Sequence, residues 1–290
     1  MDFPENTLLP IFAYGVFCPG EIAYLRLKPY LKKLERGCQC AGELLIRDGL
    51  TLLKPSANGS VDGDLLHFLP EKAGRAYFSI VELEPDKQYK WETIDVKTPS
   101  GSQKANVLVG VNLRNGCSLP DRPFVGREDP LFKESFQLIE EILSKYSDRN
   151  PSKGTHPDFR NLLYLQMAYM LLWSSIERYA TLRYSLGDDV MAKILQITKD
   201  PFFVQILQSS VSRTDKLFPM NDPSADKALK LNKDNPRGSL KYYYQVRCNI
   251  SHRGKAAFDD FDRLKNSLSE VSNIFKKTLE NAFQESATEP

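Results

Sequence analysis

Along the first 115 residues, apolar positions come in short runs separated by turn residues. IFAYGVF reads as a strand running into a loop, and QCAGELLIRDGLTLLKP as a hairpin broken at Asp48-Gly49. VDGDLLHFL, KWETIDVKT and KANVLVGVNL alternate or run apolar at strand length. Between them, IAYLRLKPYLKKLE reads as helical turns interrupted at Pro29, and EKAGRAYFSIVELEP as a short helix. Leu119 to Glu128, with two prolines and a glycine, reads as a linker. Beyond it the period becomes helical. Asp129-Pro130 makes an N-cap and first-turn pair, after which Phe132, Phe136, Ile139, Leu143 and Tyr146 recur at helical spacing. A second helix is expected from about Pro157 to Leu186, stopping at Gly187, and Asp188 and Asp200-Pro201 open two shorter ones. Arg213 to Gly238 is polar and proline-rich and reads as a loop. Ser239 is expected to cap KYYYQVRCNISHRG, Phe258 to Phe283 to form a last amphipathic helix, and 284–290 to fray. The expected fold class is α+β. A small mixed β-barrel-like domain covers 1–118, a linker 119–128 and an all-α helical bundle 129–290.

A chain of 290 residues suits two domains, and 16 Phe with 13 Tyr exclude a wholly disordered polymer. The net charge of +2 argues against global attraction to polyanions. Five scattered cysteines argue against a disulfide framework, and Cys38-x-Cys40 lacks a second pair at zinc spacing. With no phosphate-binding glycine loop and no GxSxG, neither a metal nor a cofactor is expected. The N-terminus carries acids where a secretory signal needs bases, which favours a cytoplasmic setting. Leu162 to Ile176 is the longest apolar stretch and falls short of the ~18 residues of a membrane span. It reads as a buried helix, so no membrane partner is expected.

Charge is uneven. Lys227 to Lys255 holds eight basic residues and one acid, with Tyr242, Tyr243 and Tyr244 inside the run. Such interleaving suits phosphate contact and base stacking; equally, two tyrosines can be core residues beside a solvated basic loop. Of the three histidines, His67 lies in a strand and reads as structural, and His156 as exposed at a helix entry. His252 follows Arg247 by five positions in RCNISH and closes the helix before the last.

Together with LLWSSIERYATLRYS upstream, this Arg-x4-His segment resembles the HEPN family of helical domains over roughly residues 130–283. Many members are metal-independent endoribonucleases acting as toxins or defence effectors. The resemblance implies RNA as partner, His252 as general base for the ribose 2′-OH, and Arg247 as the cation over the phosphorane oxygens. Cys248 stands where the family usually has a polar residue, and Asn249 follows one later as a supporting residue. Five helical positions turn about 140° and rise ~7.5 Å, so the pair does not share a face. The family's solution is a homodimer whose two motifs line one cleft. Glu177 is a candidate support for Arg247, with a helix salt bridge to Arg178 or Arg183 as the plainer alternative.

In the first domain, FAYGVFCPGE follows the first strand, and VELEPDKQYKWETIDV places Glu84 five residues before Tyr89. With GELLIRDG and SVDGDLLHFL between, residues 10–112 resemble the gamma-glutamylcyclotransferase-like family, including its avirulence-induced plant branch. The resemblance implies a small-molecule ligand, a gamma-glutamyl amine. Tyr14, Gly15, Val16 and Phe17 would form the binding loop through backbone N–H groups, with Tyr89 beside them and Glu84 as acid/base. Val16 and Phe17 replace the family's usual Ser/Thr-Leu, and Pro85 the glycine after the Glu. From the residues alone, Glu84 is either a surface acid beside Glu82 and Asp86 or a carboxylate shielded by Phe78, Leu83 and Trp91. Shielding would raise its hold on a proton. Two functions follow: a HEPN-type ribonuclease regulated by a small-molecule domain, or a gamma-glutamyl-amine cyclotransferase whose helical domain dimerises or binds RNA.

Overall fold

The computed structural model describes residues 1–47, 50–85, 87–114, 116–118, 126, 129–146, 159–219, 226, 228–253 and 261–288. At 117, 118, 146, 159, 252 and 253 it describes the backbone alone. The turn at Asp48-Gly49, most of the expected linker, and His156 lie outside the described residues. The fold is α+β, in two compact units. The first comprises 1–129, 181–188 and 282–290; the second comprises 130–180 and 189–281.

The first unit is built on a closed five-stranded barrel, in the order β1 (Ile11–Ala13), β5 (Ser60–Phe68), β2 (Leu31–Ala41), β6 (Tyr89–Thr98) and β7 (Gly101–Gly110). Antiparallel pairing runs around the ring except where β1 meets β7 in parallel at Ile11 and Asn106. Phe12, Tyr14, Cys38, Cys40, Val61, Leu65, Val96, Ala105, Val107 and Val109 fill one core cluster. A separate sheet orders β4 (Leu50–Lys54), β3 (Glu43–Arg47) and β8 (Cys117–Ser118). Among the described residues up to 129, the α-helices are α1 (Tyr24–Leu27) and α2 (Ala73–Leu83).

Leu31 to Glu35 are strand, where the sequence suggested helical turns. Pro29 sits within a single 3-10 turn, Lys28–Tyr30, and β2 then pairs with β5 from Leu31 opposite Phe68 to Ala41 opposite Ser60. Register shifts between Leu31 and Lys33 and between Glu35 and Cys38, with Gly37 at φ +69, break the two-residue alternation that would have announced the strand. The C-terminus also differs from expectation. Helix α8 (Phe261–Ala287) does not fray at 284, and Ser286 is fully buried. Gly20 N–H donates to Ser286 O at 3.0 Å, and Lys28 Nζ donates to Glu285 O and Thr288 O at 3.1 and 3.2 Å. The carbonyls that a helix end leaves over are thereby satisfied, with a cation at the negative end of the dipole.

In the second unit, α3 (Pro130–Tyr146), α4 (Phe159–Arg183), α5 (Val190–Ile197), α6 (Pro201–Ser210), α7 (Pro236–Arg253) and most of α8 surround Trp173, Tyr169, Tyr179, Leu268 and Phe275. No helix among the described residues is long and apolar enough to cross a membrane. Asp189, not Asp188, caps α5 by accepting Ala192 N–H at 2.8 Å, while Asp200 caps α6 through Phe202 N–H as expected. Helix α7 starts at Pro236, three residues before Ser239, and Asn235 Oδ1 takes the Gly238 N–H. The expected loop contains a short ladder, β9 (Asp215–Leu217) with β10 (Leu229–Leu231). Arg213 anchors it, binding both oxygens of Glu270 at 2.8 and 2.9 Å, Asp215 at 3.1 Å and Ser267 Oγ at 3.1 Å.

β2 meets β6 in ladder pairing at Gln39 and Cys40. Earlier on β2, Glu35 reaches the β6–β7 hairpin by side chains, accepting from Ser100 Oγ at 3.1 Å and Gln103 Nε2 at 3.4 Å, with Lys33 Nζ at 2.9 Å. The bond from Lys33, together with those from Thr98 and Ser100, holds its carboxyl down at about 2. Since this folded value lies below the ordinary 4.5, its stabilisation is complete above pH 4.5 and disappears as pH falls through 2. Melting temperature should therefore decline over that window, and Glu35→Gln should flatten the decline when followed by circular dichroism; an unchanged profile would refute the staple.

Candidate functional site

In the first unit the site is assembled from the chain after β1 and the turn between α2 and β6. Tyr14 extends the apolar run of β1, and its ring joins Phe12 in the barrel core. Its hydroxyl donates to Leu108 O at 2.7 Å and accepts Leu53 N–H at 3.4 Å, so backbone groups engage it. Burial, and next the charge of Glu84, push the phenol far above its ordinary value. Tyr14 thus holds the base of the loop.

The loop itself turns at Gly15, whose carbonyl accepts Cys18 N–H at 2.9 Å, and leaves through Gly20 at φ +93. Among the described residues, the N–H groups of Gly15, Val16 and Phe17 donate to no acceptor. A Cβ placed on Gly15 meets nothing within 4 Å, so the space before it is open. The Phe17 side chain is buried, whereas Gly15 and Val16 are half-buried.

Glu84 is the C-cap of α2, extended at φ −79 and ψ 132, with its N–H on Ile80 O at 3.1 Å. Pro85 O accepts Gln88 N–H at 3.3 Å, Lys87 takes φ +67, and β6 begins at Tyr89. This turn brings the Glu84 charge to bear on Tyr14, Tyr89 and Arg26. Tyr89 is buried and donates to Thr51 O at 3.0 Å; burial first, then Glu84, pushes its phenol far up. The expected shielding of Glu84 by Phe78 is absent. Phe78 is 57% exposed, because Ala76, Tyr77 and Ile80 take the inner face of α2. Trp91 packs edge-on against Tyr77 and donates to Asp2 O at 2.9 Å.

Sequence reasoning missed Arg26. Its side chain is 1% exposed, and it donates to Ser79 O at 3.1 Å and Tyr184 O at 2.7 Å and meets Glu82 at 3.4 Å. The available signal was a cation at an apolar position of IAYLRLKP, between Leu25 and Leu27. Cys38 and Cys40 lie inside the barrel, where burial pushes both thiols up, Cys40 to about 12. Among the described residues, no group of three His, Cys, Asp or Glu could hold a metal.

In the second unit, Arg247 on α7 meets Glu177 of α4 at 3.5 Å, so Glu177 pairs with Arg247. The guanidinium lies over the Tyr244 ring, 5.6 Å from its centre, and that ring meets Trp173 edge-on at 5.2 Å. Asn249 accepts from Gln245 Nε2 at 2.8 Å and donates to Phe218 O at 3.4 Å. Burial pushes the neighbouring Cys248 thiol up. The His252 side chain lies outside the described residues. Tyr242 and Tyr243 are core residues with hydroxyls on Asp215 at 2.6 Å and Glu270 at 2.8 Å, so neither is free to stack on a base. Lys230, Lys233 and Arg237 are exposed; Lys227 and Lys255 lie outside the described residues.

No known family and no curated protein matches the chain. Among solved structures, YkqA of Bacillus subtilis aligns at 14% identity and a TM-score of 0.32 over 44% of this chain and 42% of its own. The Arabidopsis thaliana protein At5g39720.1 aligns at 14% identity and a TM-score of 0.31, over 50% of this chain and 97% of its own. The chain spans about two fifths of YkqA's length. At these scores neither likeness assigns an activity.

Tyr14→Phe should remove the buried bonds to Leu108 O and Leu53 N–H, at a cost of about 1–3 kcal/mol. Chemical denaturation should read that loss, and amide exchange at Leu53 should accelerate; wild-type values for both would show that the hydroxyl does not hold the loop.

Proposed function

We propose that the first unit is a gamma-glutamyl-amine cyclotransferase with Glu84 as its acid/base. The observation that carries this reading is the convergence of Glu84, Tyr14 and Tyr89 beside a loop whose three successive N–H groups have no acceptor. Buried phenols keep their protons, which leaves the carboxylate as the group of the three suited to moving one. In the reaction, Glu84 takes a proton from the substrate's α-amine, whose nitrogen attacks the gamma-carbonyl carbon. A C–N bond forms to close the ring, the original amide C–N bond breaks, and the proton passes to the departing amine. The products are 5-oxoproline and a free amine, with no net redox change. The N–H groups of Gly15, Val16 and Phe17 are suited to the oxygen that becomes negative during attack.

Glu84→Gln should lower 5-oxoproline release from a panel of gamma-glutamyl amines and anilides by ~10²-fold or more, with the fold retained by circular dichroism. Absence of wild-type turnover across the panel, or survival of activity in the variant, would refute the assignment.

A second reading draws on the second unit. Arg247 is held by Glu177 on α4, and the same helix leaves Leu163 and Met167 51% and 65% exposed. That is an apolar stripe which a second copy would cover in a HEPN-type dimer acting on RNA in the cytoplasm. On this reading the particle has twice the 33.0 kDa chain mass. It cuts single-stranded RNA in EDTA to 2′,3′-cyclic phosphate ends, and His252→Ala lowers the rate by ~10²-fold. A metal requirement, cleavage of DNA, or an active His252→Ala protein would exclude it.

A further inference from the structure

We infer that the outward face of the β9–β10 ladder, continued by the first turns of α7, is a docking surface for single-stranded RNA, with Lys216, Lys230, Lys233, Arg237 and Lys241 holding its phosphates. The choice of RNA rests on the ribonuclease reading of the second unit; the surface itself follows from the placement of charge. In the ladder, Leu217 and Leu231 turn inward and are buried, so Lys216 and Lys230 take the exposed face. They stand directly opposite each other in register. Like charges so placed weaken a sheet, and a two-stranded ladder this short has little stability to spare. Helix α7 repeats the pattern. Asn235 Oδ1 accepts Gly238 N–H at 2.9 Å at its start. Lys233 lies just before that cap, and Arg237 stands in a first turn that holds no acid. This is the positive end of the helix dipole, where anions are favoured and cations are not. Two separate features of the fold thus carry positive charge where it costs stability, and a bound polyanion relieves each.

The neighbouring acids are spent elsewhere. Asp215, on the face of β9 opposite to Lys216, is engaged by Arg213, Arg263 and the Tyr242 hydroxyl. Glu270 is engaged by Arg213 and the Tyr243 hydroxyl. That network fixes the ladder from its inner side and leaves the outer side cationic. Among the described residues, Lys216, Lys230, Lys233, Arg237 and Lys241 meet no carboxylate within ion-pair distance. Asp234, in the turn between Lys233 and Arg237, is exposed. An extended strand with repeating phosphates matches this layout. Arg237 and Lys241 share one face of α7 with ~6 Å of rise between them, and that face runs on through Tyr244 towards Arg247, ~15 Å from Arg237. Phe218 is 40% exposed, and its carbonyl accepts from Asn249 of α7, so an apolar ring lies along the same helix to meet a base. A lipid surface calls instead for apolar side chains on the outer face, and Leu217 and Leu231 point the other way.

The test is binding of the full chain to a labelled single-stranded oligoribonucleotide methylated at every 2′-oxygen, which keeps the phosphates and resists cleavage. Five phosphate contacts imply that affinity falls with salt at a log–log slope of about −3.5. Lys216→Gln/Lys230→Gln should weaken binding about 10-fold or more near ~0.1 M salt and make the slope shallower by about 1.4. Lys97→Gln/Lys104→Gln removes the same charge from exposed positions on β6 and β7 and should bind like the wild type. Lys216→Glu should lose affinity while its melting temperature holds or rises, because it replaces a like pair with an opposite one. A lysine kept for stability would show the reverse. Absence of wild-type binding, equal losses in the two double variants, or a preference for single-stranded DNA, phosphatidylserine vesicles or a poly-glutamate peptide would overturn the inference. Cutting of unmodified RNA is scored separately. If the wild type binds and never cuts, the ribonuclease assignment fails and the docking surface stands. If it cuts while Lys216→Gln/Lys230→Gln binds normally, the surface fails and the assignment stands.

Discussion

A barrel closed by a three-residue strand is the constraint on which the first unit depends. β1 must pair with β5 on one side and β7 on the other within Ile11–Ala13, which leaves no slack in register. The backbones approach so closely that Gly63 has no room for a side chain; a Cβ there would collide with Ala13 O and come within 2.6 Å of the Phe12 ring. Asn106 extends the seam, with its N–H on Pro10 O and its side-chain amide donating to Asn6 O and Tyr77 OH. Because β1 ends at a fixed point, the residue after it enters the core, and the next three begin the loop with their amides unspent.

Buried charge organises the rest, by the same physics in each unit but with different results. Arg213 spends its guanidinium on Glu270, Asp215 and Ser267, and the Tyr242 and Tyr243 hydroxyls donate to the same two carboxylates. That network is internally matched and fastens a two-stranded ladder to α7 and α8. Arg26 is matched less completely, with its Nε unmet although Ser79 O, Tyr184 O and the Glu82 carboxylate engage the rest of the guanidinium. Incomplete satisfaction in a dry environment leaves a group sensitive to what is placed near it.

Much of the architecture was legible in residues 1–290 taken as a string. The change from short alternations to a 3.6-residue period near residue 130, the strands β5, β6 and β7, and the helices α2, α3, α4 and α8 all follow from local pattern. Tyr14, Glu84 and Arg247 were named through resemblance to two families, because the order of short motifs is written in the chain even where the contacts are not; Arg247 itself lies within α7.

What the tertiary structure decided is what local pattern has no means of expressing. β2 lost its alternation to two register shifts, and only the ladder with β5 makes Leu31–Glu35 a strand. The C-terminal turn looks disposable in sequence, yet it is ordered by Gly20 and Lys28, more than 250 residues upstream. Tyr242 and Tyr243 read as well for stacking as for packing until Asp215 and Glu270 were seen to hold their hydroxyls. Arg26 carries no motif, and its partners Ser79, Glu82 and Tyr184 are 53, 56 and 158 positions away. Period and propensity are properties of neighbouring residues. The pairing of a buried charge belongs to the folded chain, because the loss of water that makes it necessary occurs only on folding.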